Sequence, residues 1–264
     1  MNPSLIFLGT GAGCGVPSFY CGCPTCREAA AEPRFQRTRC SLLVRGASGN
    51  TLVDAPPDLR AQLLREGIDC LDHLLLTHPH YDHTGGLGEL EFYVQVRRQE
   101  AIPSYMTPVS RDWLHASFSF MEDCLFIQPV DAGWQFELDG VLFTGLEVTH
   151  APGTLGLLME TPGGRRTAYI PDTGPLPAST LEKLRGVDTL ILEATFWGRN
   201  QMPEKHLSVD EAIKIGLQLQ VKRLYLTHLS MHYEEPVTNQ ELETYLARFG
   251  DHIHLAYDGL EINL

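Results

Sequence analysis

The chain is expected to be an α/β protein of the α+β kind, with two mostly antiparallel β-sheets covered by helices on their outer faces. Three observations predict this. Short apolar runs recur along both halves and end in glycine, proline or a polar residue, as buried strands do. Segments of helical periodicity separate many of these runs, and helices must then cover the sheets. Several runs also end in histidine or aspartate, in the first half and again in the second.

Each element follows from local pattern. Residues 5–8 form an apolar run closed by Gly9-Thr10-Gly11-Ala12-Gly13, a strand entering a glycine turn. Residues 40–44 and 51–53 are two strands joined by a hairpin at 46–50. Asp54-Ala55-Pro56-Pro57 opens a helix with apolar positions at Leu59, Leu63 and Leu64. A strand at 73–76 and a helix at 86–96 follow. Strands are expected at 136–138, 141–148, 155–160 and 166–170, a helix at 178–185 and a strand at 189–192. Ser208 caps a helix at 208–219, with Glu211 completing a capping box. A strand at 223–227 ends at His228, and a helix at 238–248 and a strand at 252–256 close the chain. With no linker or low-complexity segment, residues 1–264 are expected to form one domain of duplicated layout.

Composition narrows the class. At 264 residues, 43% hydrophobic and 20% charged, the chain can bury a substantial core. Its formal charge of −13 repels phosphate backbones and disfavours long nucleic acid as the partner. Bound divalent cations would offset part of that charge. No basic leader is present, and no apolar run approaches the roughly 20 residues of a membrane span, so a cytoplasmic protein is expected. A homodimer is compatible with the sequence. Three of the seven cysteines, Cys21, Cys23 and Cys26, sit close together, which in a reducing compartment suggests metal before disulfide.

The densest chemistry is His78-Pro79-His80-Tyr81-Asp82-His83, directly after an apolar run. Imidazole and carboxylate are the usual ligands of zinc and its first-row neighbours. His150, Asp172 and His228 each follow a strand later in the chain. The set resembles the metallo-β-lactamase superfamily of binuclear hydrolases, in the same order, over almost the whole chain. The resemblance implies an αββα sandwich with the site at the edge between the sheets. It implies one metal on His78, His80 and His150, a second on Asp82, His83 and His228, and Asp172 bridging them. Asp54 would orient the histidine loop. The two ions would be zinc, manganese or iron. Such a pair supplies a nucleophile at neutral pH and neutralises charge building on a phosphate or carbonyl oxygen.

Aspartate at position 172 resembles the phosphodiesterase and lactonase branches, since the antibiotic-hydrolysing branch carries cysteine there. Glu193-Ala194-Thr195 followed by His206 is similar to a motif pair of the tRNA 3′-processing endonuclease. By that likeness His206 protonates the leaving oxygen and Glu193 orients it, so His206, Glu193 and Asp82 form the catalytic set. Cys21-Gly22-Cys23-Pro24-Thr25-Cys26 resembles the phosphodiesterase of the carbon–phosphorus lyase pathway, in which an insertion, here near 14–40, holds a structural zinc. Its fourth ligand here is expected to be His232, four residues after His228, where that family places it three after. Met231 holds that position, and Cys40 and Cys14 are the alternatives. A relative in pyrroloquinoline quinone biosynthesis shares the cysteines but has a degraded hydrolytic site; here every ligand is present. Arg199 and Lys205 are candidates to hold a second phosphate, or are solvated loop charges. Phe19 and Tyr20 can line the entrance or pack beside the zinc.

The expected function is binuclear metal-dependent hydrolysis of a small, cyclic phosphodiester of the ribosyl cyclic phosphate type. The alternatives are a tRNA 3′-processing endonuclease, a lactone or thioester hydrolase, and a non-enzymatic accessory protein.

Overall fold

Side chains alternate across a strand, so each strand here divides its apolar residues between two layers. The structure is a computed structural model that describes residues 3–232 and 234–264. In β1 (Ser4–Gly9), Leu5 and Phe7 join the apolar layer between the sheets, while Ile6 and Leu8 join the layer beneath the helices. The first sheet continues with β2 (Ser41–Arg45), β3 (Asn50–Val53), β4 (His73–Leu75), β5 (Ile102–Met106) and β6 (Leu125–Pro129). The second holds β7 (Gln135–Leu138), β8 (Val141–Glu147), β9 (Leu155–Glu160), β10 (Arg166–Ile170), β11 (Thr189–Glu193), β12 (Arg223–Thr227) and β13 (Ile253–Leu255). The last strand, β14 (Glu261–Asn263), returns to the first sheet beside β1.

The two sheets run β14-β1-β2-β3-β4-β5-β6 and β13-β12-β11-β10-β9-β8-β7. Among the described residues each has three antiparallel and three parallel pairings. The sheets are therefore mixed, which corrects the expectation of mostly antiparallel pairing. The reason lies in the connections, because parallel neighbours need a crossover and a helix supplies it. After α1 (Pro24–Ala31), which lies in the cysteine-rich segment, α2 (Leu59–Arg65) carries the chain from β3 to β4. Short α3 (Tyr81–Thr84) and α4 (Glu89–Phe92) lead to β5, and α5 (Pro108–Ser117) to β6. In the second half α6 (Ala178–Lys183), α7 (Val209–Leu219) and α8 (Asn239–Leu246) make the same three crossovers. The helix expected at 86–96 is shorter, because after α4 the chain widens into a π-helical stretch over Tyr93–Arg98 that ends at Gln99 with φ 63°.

Three apolar layers result. Leu52, Leu74 and Leu76 pack with Leu59, Leu90 and Leu114 outside the first sheet. Phe7, Val53, Leu75, Phe143 and Tyr169 fill the space between sheets. Leu190, Leu192 and Leu226 pack with Ile213 and Leu242 outside the second. This is the αββα order of layers. The loops after β3, β4, β10, β11 and β12 all leave carboxyl ends of parallel strands, where α/β sheets place their ligand sites. No described helix is long and apolar enough to cross a membrane.

Phe7 is fully buried between the sheets. Phe7→Ala should lower the unfolding free energy by about 3–5 kcal/mol, measured by urea denaturation of metal-depleted protein.

Candidate metal centre

The histidine loop is held from behind by Asp54. This residue follows β3, is fully buried and has φ 64°, a left-handed conformation rare for a side chain other than glycine. Its carboxylate accepts from Thr77 N at 2.8 Å, Thr77 Oγ1 at 2.8 Å and His83 Nδ1 at 2.8 Å. Burial raises the Asp54 carboxyl above its usual range, against the pull of the His83 ring and Thr77. The Asp54 carboxylate thus draws the start and end of the loop to one point.

The ring nitrogens sort into outward and inward sets. Outward, His78 Nδ1 lies 3.0 Å from Thr77 Oγ1, His150 Nδ1 2.9 Å from the Lys205 carbonyl and His228 Nδ1 2.9 Å from Thr195 Oγ1. Inward, His80 Nδ1 lies 3.1 Å from both His78 Nε2 and His150 Nε2. His83 Nε2 is 3.0 Å from Asp172 Oδ2 and 3.7 Å from Asp82 Oδ2. His228 Nε2 is 3.5 Å from Asp82 Oδ2 and 3.4 Å from Asp172 Oδ1. His150 Nε2 is 3.7 Å from the same Asp172 oxygen. All seven expected ligands therefore converge, with Asp172 reaching both groups of three.

The donor set fits cations. His83 Nε2, His228 Nε2 and Asp172 Oδ2 are buried without a well-aligned hydrogen bond among the described residues, an arrangement a bound cation satisfies. His78, His80 and His150, then Asp82, His83 and His228, each bring ligand atoms within 4.8 Å of one another. Imidazole with carboxylate suits zinc or manganese. Burial, then the His83 ring, holds His78 well below the usual imidazole range, in the neutral form a metal needs. Burial also opposes charge on His83 and His228, but the surrounding carboxylates outweigh it. Asp172, Asp54 and Asp82 push His83 well up, and Asp172 with Asp82 and Glu193 raises His228 to about 8. Asp172 lies well below the usual carboxylate range, because His228 and His83 overcome its burial.

Glu193 plays the part of Asp54 in the second half. It is fully buried at the end of β11 and accepts from Thr173 N at 2.7 Å, Thr195 Oγ1 at 2.6 Å and Leu207 N at 3.2 Å. It also takes His206 Nδ1 at 3.0 Å. His206 stands at the rim of the ligand cluster, with Nδ1 3.7 Å from Asp172 Oδ1 and its ring stacked on His228, centroids 5.6 Å apart at 10°. Phe196 N and Val209 N bond across the loop to Leu207 O and Phe196 O, bracketing the segment that carries His206.

The cysteines gather separately. Cys21, Cys23, Cys26 and His232 bring their ligand atoms within 4.8 Å of one another. His232 Nδ1 lies 3.1 Å from Cys26 Sγ, and its Nε2 3.1 Å from Cys14 Sγ. Met231, at φ 59°, absorbs the extra residue between His228 and His232. Of the alternatives, Cys14 sits behind His232, whereas Cys40 lies elsewhere, 3.5 Å from Thr227 Oγ1. Burial and the neighbouring thiols push Cys26 up to about 12, a crowding that a soft cation relieves.

Arg199 and Lys205 are exposed and form no ion pair among the described residues; Lys205 contributes its carbonyl, not its ammonium, by orienting His150. Phe19 and Tyr20 form an exposed edge-to-face pair at 5.0 Å. Sequence reasoning missed Thr77, Thr195 and the Lys205 carbonyl as orienting groups, for which spacing carries no signal.

Comparison with known proteins gives the class. The model of the β-lactamase superfamily domain matches residues 49–229, and the chain belongs to that family. It is 32% identical over 263 residues to an octanoyltransferase of Porphyromonas gingivalis, covering 97% of this chain and 50% of that protein. The chain thus spans half the length of that relative. It is 30% identical over 223 residues to coenzyme PQQ synthesis protein B of Methylobacterium radiotolerans, covering 72% of each. Among solved structures, a diphosphatase of the PhnP family superposes with a TM-score of 0.85 at 28% identity, covering 99% of this chain and 98% of the other. Zinc-bound PqqB from Methylobacterium extorquens gives 0.80 at 23% identity, covering 99% and 100%. The short form of human tRNase Z gives 0.69 at 20% identity, covering 98% of each. Fold and donor set together place the chain in the β-lactamase superfamily with a clustered histidine–aspartate site.

Asp54→Asn keeps the side-chain volume but replaces the carboxylate that receives His83 Nδ1. It should weaken metal binding at the histidine–aspartate centre about 10–100-fold, measured by chelator competition, with the fold retained.

Proposed function

We propose that the protein hydrolyses a small phosphodiester in a metal-dependent reaction, with a ribosyl cyclic phosphate as the first substrate to test. One observation carries this reading: His206, held by Glu193 at 3.0 Å, stands at the rim of the His/Asp cluster, a position that suits a proton donor. The similar PhnP-family diphosphatase, a protein named for a reaction at phosphorus, supports it.

His78, His80 and His150 would hold one divalent cation and Asp82, His83 and His228 a second, with Asp172 between them. When bound, such a pair supplies a nucleophile at neutral pH and neutralises charge on the phosphoryl oxygens. The protein's own groups do the rest. Glu193 accepts the Nδ1 proton of His206, so the proton to be donated sits on Nε2. An alkoxide is a poor leaving group, and this Nε2 proton passes to it as the phosphorus–oxygen bond breaks. The oxygen of water joins phosphorus in its place, and the proton that water loses passes to solvent and replaces the one His206 gave. A formal charge of −13 suits a small substrate held at the cations better than a long nucleic acid. The cysteine cluster with His232 would hold a structural zinc.

The octanoyltransferase likeness favours a second reading, acyl-ester hydrolysis. That name describes a protein twice as long, and an ester with a good leaving group needs no acid at His206.

His206→Ala should slow hydrolysis of diesters with alkoxide leaving groups by about 10²–10⁴-fold, and that of nitrophenolate diesters far less. Steady-state rates on the two substrate types decide this. Equal losses on both would refute the acid role, and ester turnover indifferent to the substitution would favour the acyl reading.

A further inference from the structure

The molecule contains one hydrogen-bonding device twice. In the first half, buried Asp54 bonds His83 Nδ1 directly at 2.8 Å and reaches His78 Nδ1 through Thr77 Oγ1, at 2.8 Å and 3.0 Å. In the second, buried Glu193 bonds His206 Nδ1 directly at 3.0 Å and reaches His228 Nδ1 through Thr195 Oγ1, at 2.6 Å and 2.9 Å. Each carboxylate thus serves two histidines, one by contact and one through a threonine. Both threonines are buried, Thr77 fully and Thr195 to 4% exposure.

Proton counting gives the device a direction. A hydroxyl has one proton to give and lone pairs to receive with. An ionised carboxylate only accepts, and several backbone and side-chain donors already converge on both carboxylates. Each threonine must therefore give its proton to the carboxylate and accept the Nδ1 proton of its histidine. His78 and His228 are left with bare Nε2 lone pairs, both pointing into the ligand cluster. His228 itself sits at a left-handed φ of 53°. Branching at Cβ restricts each threonine's χ1 and keeps the hydroxyl in place.

We infer that Thr77 and Thr195 are positioning residues, which set the tautomers of His78 and His228 for metal binding, and that Thr195 alone also steadies the proton donor His206. The second clause rests on the phosphodiesterase reading; the first does not. The asymmetry arises because the directly bonded histidine is a ligand in the first half and the acid in the second. Thr195 Oγ1 also lies 3.3 Å from His206 Nδ1, and its loss would remove the shortest of three donors to Glu193 Oε2 as well as the partner of His228 Nδ1.

The test uses the full chain with Thr77→Val, Thr195→Val and the matching serine variants. Zinc retained against graded chelator is measured first. Both valine variants should bind zinc at the histidine–aspartate centre about 10–100-fold more weakly, and both serine variants should recover most of that loss. At saturating metal, Thr195→Val should then lose kcat on an alkoxide-leaving diester with little change in KM, and lose far less on a nitrophenolate diester. Thr77→Val should show no such difference between leaving groups. Undiminished zinc affinity in the valine variants overturns the inference, as does equal loss in valine and serine variants. Should a valine variant fail to fold, histidine NMR of the zinc-loaded natural protein decides. Slowly exchanging Nδ1 protons on His78 and His228 are expected, and metal on Nδ1 of either overturns it. If zinc affinities follow the prediction but no diester is turned over, the phosphodiesterase reading fails and the metal-positioning role stands.

Discussion

A carboxylate can be buried only where several donors meet it, since an unpaired charge in the interior costs several kcal/mol. Asp54 and Glu193 meet that condition, and the site is built around them. Each sits at the carboxyl end of a strand, where the backbone is rigid. The loops that close on them bring the ligands with them. Asp54 draws in both ends of the His78–His83 loop, while Glu193 ties Thr173, next to Asp172, to Leu207, next to His206. Neither loop has much regular structure of its own, so the hydrogen bonds to these acids define its shape.

Each half is an antiparallel set of strands followed by three parallel crossovers; Asp54 follows β3, where the first half changes pattern, and Glu193 ends β11, one strand beyond the change at β10 in the second. The first half is completed by β14 from the chain's end. Two similar halves face each other across an apolar layer, and their loop ends meet at one rim. The candidate ligands therefore come from both halves: His78, His80, Asp82 and His83 from the first, and His150, Asp172 and His228 from the second.

Much of this was legible in the sequence, for physical reasons that differ by element. Strands such as β4, β10 and β12 each contain a short apolar run, and a ligand-type residue shortly beyond marks its end. β5 was hidden because Pro103 and Ser104 interrupt its apolar run, although it is largely buried in parallel pairing. β6 ends in Pro129 at the sheet edge, and β14 is three residues long. The seven ligands and His206 have chemical side chains at telling positions. Thr77 and Thr195 do not, because a threonine at a strand end is ordinary and only the folded distances show what it touches. His232 depended on Met231 adopting positive φ, which no propensity of methionine predicts.

The charge pattern ties structure to chemistry. The protein is acidic overall, and its site adds Asp82, Asp172, Asp54 and Glu193 within one cluster. Those carboxylates raise His83 and His228 above the usual imidazole range, and the same negative charge favours bound cations, with which the cleft would receive an anion. Anion hydrolysis by this chain should therefore depend wholly on divalent metal. The most direct measurement strips the protein with chelator, returns zinc or manganese in known equivalents, and follows turnover of a bis-aryl phosphodiester. Turnover absent from the stripped protein and rising with added metal to a stoichiometric plateau is the expected result. No diester turnover at any metal loading, in protein shown to bind the metal, would contradict it.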